Sequence, residues 1–121
     1  MSASFKDLRV WREAMKLTVE VYRATAQFPR HELYGLTQQL RRAAVSVPSN
    51  IAEGKGHRSD CEFGHFLLHA RGSLLDVQTQ LMIANELQYI GNEQVQDLLG
   101  SADAIGRSLN GLINSLRDTA A

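Results

Sequence analysis

Residues 95–116 read VQDLLGSADAIGRSLNGLINSL. Val95, Leu98, Ala102, Ile105, Leu109, Leu112 and Leu116 recur at alternating spacings of three and four. That alternation holds apolar side chains on one side of an α-helix, as in a coiled-coil seam. Between them lie polar or small residues such as Gln96, Asp97, Ser101, Asp103 and Asn110, which suit a side facing water. An apolar seam needs other helices to cover it, and the remainder of the chain supplies three.

Working back along the chain, YIGNEQ (89–94) is a break. Before it, Phe63, Phe66/Leu67, Ala70, Leu74, Val77, Leu81 and Ala84 form the inner stripe of another helix, expected to last to about Gln88. Ser59 or Asp60 is its natural N-cap, with Glu62 in the first turn. Gly64, Ala70, Gly72 and Ser73 are small residues within it. Gly costs about 1 kcal/mol in a helix relative to Ala, so a close neighbouring helix is the expected compensation.

A second helix is read from near His31–Leu33, with Leu33, Leu36, Leu40, Ala43, Val47 and Ile51 inward. Pro48 falls inside it. Proline has no N–H for the Ala44 carbonyl, and its ring crowds that group, so a kink is expected at residues 44–48. Ser46, Ser49 or Asn50 would satisfy the freed backbone groups. Gly54 and Gly56 are expected to end the helix.

The first helix, about Phe5 to Phe28, carries two apolar rows. One is Leu8, Trp11, Met15, Thr18, Tyr22 and Thr25; the other is Val10, Ala14, Leu17, Val21, Ala24 and Phe28. Together they cover roughly half the circumference, whereas a core-facing helix needs a stripe of about 100°. The excess suggests a second buried surface, and the Val10, Ala14, Leu17, Val21, Ala24, Phe28 row is assigned to contact with another copy. A wide groove within one subunit is the other reading. Pro29 ends this helix, because the residue before a proline avoids the α region. Four helices, three short loops and no strand pattern give an all-α, antiparallel up-down-up-down four-helix bundle, one domain over residues 1–121.

The totals narrow the class. A chain of 121 residues can bury a core without staples. A lone Cys61 excludes an internal disulfide framework and fits a reducing compartment. MSASFKDLRVW lacks the apolar core of a signal peptide, and no apolar run approaches the roughly 18 residues of a membrane span. The expected location is the cytoplasm. Net charge is zero, but unevenly spread. Residues 1–58 hold ten Lys/Arg against five Asp/Glu, a balance of +5; residues 59–121 hold three against eight, a balance of −5.

Motifs for chemistry are scarce. Gly54-Lys55 has neither the upstream glycine nor the following Ser/Thr of a phosphate loop. H-E-x-x-H and G-x-S-x-G do not occur. His57, Cys61, His65 and His69 stand four apart, but one straight row cannot wrap tetrahedrally around an ion. A His65/His69 pair would need ligands from elsewhere. The apolar inner stripes do not suit a carboxylate-lined di-iron core. Glu53 and His57 lie close in sequence, yet no nucleophile or oxyanion site accompanies them. No enzyme activity, cofactor or metal is expected. The better candidates are basic: Arg41, Arg42, Lys55 and Arg58, with Arg9, Arg12, Lys16 and Arg23 as further members of one surface for RNA or DNA.

FKDLRVWREAMKL, FPRHELYGLTQQLRRAAVSVPSNIAEG, EFGHFLLHARGSL and LQYIG span nearly the whole chain. They resemble the four-helix-bundle proteins encoded in intervening sequences of bacterial 23S ribosomal RNA genes. The same pattern is similar to the accessory variability determinant of diversity-generating retroelements. The resemblance implies a homopentameric barrel. For the retroelement relative, which is strongly basic and works with a reverse transcriptase, it implies nucleic-acid binding. It brings no catalytic residues. The resulting expectation is a non-catalytic ring that binds RNA or DNA weakly or serves as an adaptor for a nucleic-acid enzyme. The alternative is a purely structural or protein-interaction oligomer.

Overall fold

The computed structural model describes the backbone of residues 4–120 and the side chains of residues 4–117. Four helices carry the fold: α1 (Arg9–Thr25), α2 (Leu36–Lys55), α3 (Asp60–Glu86) and α4 (Asn92–Ala120). Short 3-10 turns at Phe5–Asp7 and Arg30–Glu32 precede α1 and α2. Each helix packs on its neighbours in sequence, and α4 closes back on α1; the diagonal pairs bring no Cα atoms within 8 Å of each other among the described residues and meet through side chains in the core. Short links between sequential neighbours make them antiparallel, which is the up-down-up-down arrangement.

The ends follow from local chemistry. Ser59 caps α3, its hydroxyl accepting from the Glu62 N–H at 3.0 Å. At the far end of α3, Gln88 takes a left-handed φ of 64°. Its N–H then reaches the Asn85 carbonyl and the Tyr89 N–H reaches the Ala84 carbonyl at 2.9 Å, closing the helix as a glycine would. The first helix ends at Thr25, three residues before the expected Phe28, and the start of α2 is delayed to Leu36 by the intervening 3-10 turn.

The row assigned to an intersubunit contact is instead the subunit's own core. Val10, Ala14, Leu17, Val21, Ala24 and Phe28 are all buried within the bundle, against Leu40, Val47 and Ile51 of α2 and the stripes of α3 and α4. The other row of α1 lies along the edge of α2, with Trp11 half-buried and Met15 and Tyr22 exposed. The reason is polarity: Thr18, Tyr22 and Thr25 in that row can meet backbone groups of α1 and α2, whereas the Val10 row offers hydrocarbon alone. On α4 the seam shifts in its last turns, where Ile113 is buried and Leu112 is only partly so.

Pro48 sits inside α2, which runs unbroken past it. The Ala44 carbonyl that proline cannot serve accepts a hydrogen bond from Thr18 Oγ1 of α1 at 3.0 Å. The hydroxyl has one proton and shares it with the Ala14 carbonyl at 2.8 Å. Asn50 Nδ2 donates to the Ser46 carbonyl at 2.8 Å, and Ser46 Oγ meets Ser73 Oγ of α3 at 2.8 Å. Asn50 and Ser46 thus act near the proline as expected, but the decisive partner comes from another helix. Thr18→Val keeps the shape and removes the donor, leaving a part-buried carbonyl unpaired. Urea denaturation should show a loss of about 1–2 kcal/mol, and Thr18→Ser should recover most of it.

Glycine placement also differs from expectation. Gly64 and Gly72 of α3 have open space where a Cβ would stand, so neither mediates a close approach. Ala70 and Ser73 do face α2 or the core. The close crossing is at Gly54, inside the last turn of α2, where a Cβ would lie 2.6 Å from Phe66 Cβ and 3.0 Å from Phe63 Cδ1.

Candidate nucleic-acid interface

The register of α1 against α2 places the basic residues. Thr18 meets Ala44, and Tyr22 meets Arg41, so residues later in α1 lie beside residues earlier in α2. Arg23, Arg41 and Arg42 therefore gather at one end of the α1–α2 pair. Arg9, Arg12, Lys55 and Arg58 gather at the other, with Lys16 between. Arg42 and Lys55 are 13 positions apart on α2, roughly 20 Å along the axis. The eight residues thus form two groups rather than one surface.

Several have structural work. Arg9 Nε pairs with Glu13 Oε1 one turn on, at 3.2 Å. Arg12 Nη1 donates to the Lys6 carbonyl at 3.1 Å. Lys55 Nζ lies 5.7 Å from the centre of the Phe63 ring. Arg41 is a clasp: Nε donates to Thr25 Oγ1 at 2.8 Å, Nη2 donates to the Tyr22 carbonyl at 3.2 Å, and the guanidinium covers the Tyr22 ring at 4.6 Å. Lys16, Arg23, Arg42 and Arg58 extend into solvent.

At the Arg41–Arg42 end the surface is concave. Tyr22, Leu33, Tyr34, Thr37, Gln38, Arg41 and Arg42 line a groove of about 340 Å³. Tyr34 is 84% exposed and Tyr22 42%. Aromatic faces beside guanidinium groups are the elements on which bases of a single strand stack while the phosphates are neutralised. Tyr34 lies in the link just after the 3-10 turn at Arg30–Glu32. Tyr22 was not legible as a surface group, because its three-and-four spacing puts it in an apolar row; Leu33 was expected inward and is exposed.

The floor of this end is fixed by Glu32. Its Oε1 accepts from the Leu36 N–H at 3.1 Å, capping α2 where Gly35 has no side chain to do so, and its Oε2 accepts from Tyr89 Oη at 2.9 Å. The link ties the α1–α2 loop to the α3–α4 loop. The Leu36 N–H and then the Tyr89 hydroxyl hold the Glu32 carboxyl below its ordinary 4.5, with a smaller contribution from His31 against the opposing effect of burial. The same bond to the carboxylate raises the Tyr89 hydroxyl above 10.0. A depressed carboxyl contributes stability above its unfolded value and loses it as pH falls through the folded one. Melting curves should therefore show a wild-type advantage over Glu32→Gln above pH 4.5 that shrinks as the pH falls below it.

The Glu53/His57 pairing considered from sequence does not form. His57 Nδ1 instead meets Glu62 Oε2 at 2.6 Å, and its ring stacks on Phe66 at 4.9 Å. No group of three or more His, Cys, Asp or Glu poised around an ion occurs among the described residues. Among them, too, no helix is long and apolar enough to cross a membrane.

The family model for the 23S rRNA-intervening sequence protein matches residues 6–111. The chain belongs to that family. It is also similar to the crystal structure of a Bacteroides thetaiotaomicron protein of unknown function from the S23 ribosomal protein family. The two share 20% sequence identity with a TM-score of 0.78, over 86% of this chain and 97% of that one. At that identity the likeness speaks for the fold. No curated protein matches the chain. Within this family member, the α1–α2 groove is where exposed aromatic and cationic groups converge.

Proposed function

We propose that this family member is a non-catalytic, homopentameric helical-bundle protein that binds single-stranded RNA or DNA weakly, or presents it to a nucleic-acid enzyme, through the α1–α2 groove. The observation that carries the reading is the placement of Tyr22, Tyr34, Arg41 and Arg42 around one concavity. Zero net charge removes long-range attraction, so binding is local and weak. The resemblance to the retroelement accessory determinant supports the same class of ligand.

Assembly has its own support. Exposed apolar side chains occur on α1–α2 as Met15, Val19 and Val45, and on α3 as Leu75, Met82 and Ile83, with Leu87 at its C-cap. The first set lies in the basic half of the chain and the second in the acidic half. Two different apolar faces, carried by chain halves of opposite net charge, suit head-to-tail contacts, which close into rings when the rotation permits. This same observation favours the second reading, an oligomer that uses its faces for protein contact alone.

Light-scattering mass, with and without a short single-stranded RNA, separates the two. The expected result is a mass near five subunits and an RNA-bound shift at low salt that is lost at moderate salt. A pentamer blind to RNA supports the protein-contact reading, and a monomer removes the ring.

A further inference from the structure

We propose that His65 and His69 form a two-histidine site for a borderline divalent transition-metal ion of the Cu2+, Ni2+ or Zn2+ class, with its remaining coordination positions open. The two residues are one helical turn apart on α3, and both are exposed. Their Nε2 atoms face each other at 3.2 Å, with the ring planes at 86°. In the metal-free pair one imidazole N–H donates to the lone pair of the other. On binding, that proton passes by exchange with water to Nδ1 of the same ring, and the ion is held by the two Nε2 lone pairs. With metal–nitrogen bonds of about 2.0–2.1 Å, nitrogens this far apart subtend about 100° at the ion, between the octahedral and tetrahedral values.

The backbone under the pair is already fixed. Leu67 and Ala70 on the inner side of the same turns are fully buried, so the two imidazoles are carried on a packed helix rather than a loop. The same spacing of two histidines on one helix face supplies two of the ligands in helical zinc sites. Here no third side chain closes the site. Cys61 lies a further turn away, and His57 is occupied by Glu62 and the Phe66 ring. Water, or a donor from another molecule, takes the other positions. Such a site selects by ligand type, favouring Cu2+ over Ni2+ and Zn2+ and excluding Mg2+ and Ca2+.

The test is calorimetric titration of the whole metal-free protein with NiCl2 and ZnCl2, followed in parallel by imidazole NMR. One ion per subunit is expected, with the ring signals of His65 and His69 moving together. His65→Ala and His69→Ala should each weaken binding on the order of tenfold or more, a loss of about 1.4 kcal/mol or above. His57→Ala should leave it unchanged. All three positions are exposed, and circular dichroism checks that the variants stay helical. Absence of saturable binding overturns the site. So does binding unchanged in His65→Ala and His69→Ala, or a shift confined to His31 or His57.

Discussion

Gly54→Ala should destabilise the bundle by about 1–2 kcal/mol net, read as a lowered urea midpoint with little change in slope. A methyl group here meets Phe66 Cβ at 2.6 Å and the Phe63 carbonyl oxygen at 3.3 Å. Neither is the far end of a flexible chain. Phe66 Cβ is fixed by the α3 backbone, so relief requires α2 and α3, the most extensively packed pair of helices, to move apart. Overpacking of this sort costs typically 1–3 kcal/mol, and here it must also outweigh the roughly 1 kcal/mol that Ala gains over Gly from helix propensity. Gly72→Ala supplies the control. Gly72 is exposed, mid-helix and has open space around it. That change should stabilise by about 0.5–1 kcal/mol. Equal effects at both positions would mean that the α2–α3 crossing is looser than the Gly54 contact requires.

The contrast between these glycines shows where sequence reading stops. Gly64 and Gly72 fall inside a helical pattern, whereas Gly54 reads as a helix end, so the sequence pattern assigns the close approach to α3. Which glycine faces a neighbour depends on how two helices are rotated against each other, and no local pattern records that. The four helices themselves were legible, because apolar spacing of three and four needs only the chain's own neighbours. The α3 cap at Ser59 was legible for the same reason. The orientation of α1 was not: two apolar rows competed, and the choice fell to the one without hydroxyls. The partner of the Ala44 carbonyl is 26 residues away in Thr18, and the Glu32–Tyr89 link joins residues 57 apart. Both are consequences of register between helices. For the candidate site the residue types were legible and their grouping was not. Eight basic positions read as one surface become two groups, and one member of them is largely consumed by structure.

That member defines the second large effect. Arg41 and Arg42 are adjacent in sequence and chemically identical, yet they should respond oppositely to substitution. Arg41→Ala removes two hydrogen bonds from a half-buried guanidinium and its cover over Tyr22. Hydrogen bonds to a charged group contribute about 1.5–3 kcal/mol, and an exposed cation–aromatic contact about 0.5–1 kcal/mol. A loss of about 2–3 kcal/mol is expected. Arg41→Lys should not restore it, since a single ammonium cannot supply the planar pair of donors that reaches Thr25 and the Tyr22 carbonyl together. Arg42→Ala should leave stability within about 0.5 kcal/mol, because its side chain extends into solvent. In RNA titrations the order reverses. Arg42→Ala should weaken binding and reduce the salt slope by about one phosphate contact. Arg41→Ala, measured at a temperature where it remains folded, should act mainly by releasing Tyr22 and so change affinity with little change in slope. Equal loss of slope in both variants would mean that Arg41 leaves its clasp to meet phosphate. Unchanged RNA affinity in both would leave the groove without its proposed ligand while the stability difference between the two arginines stands.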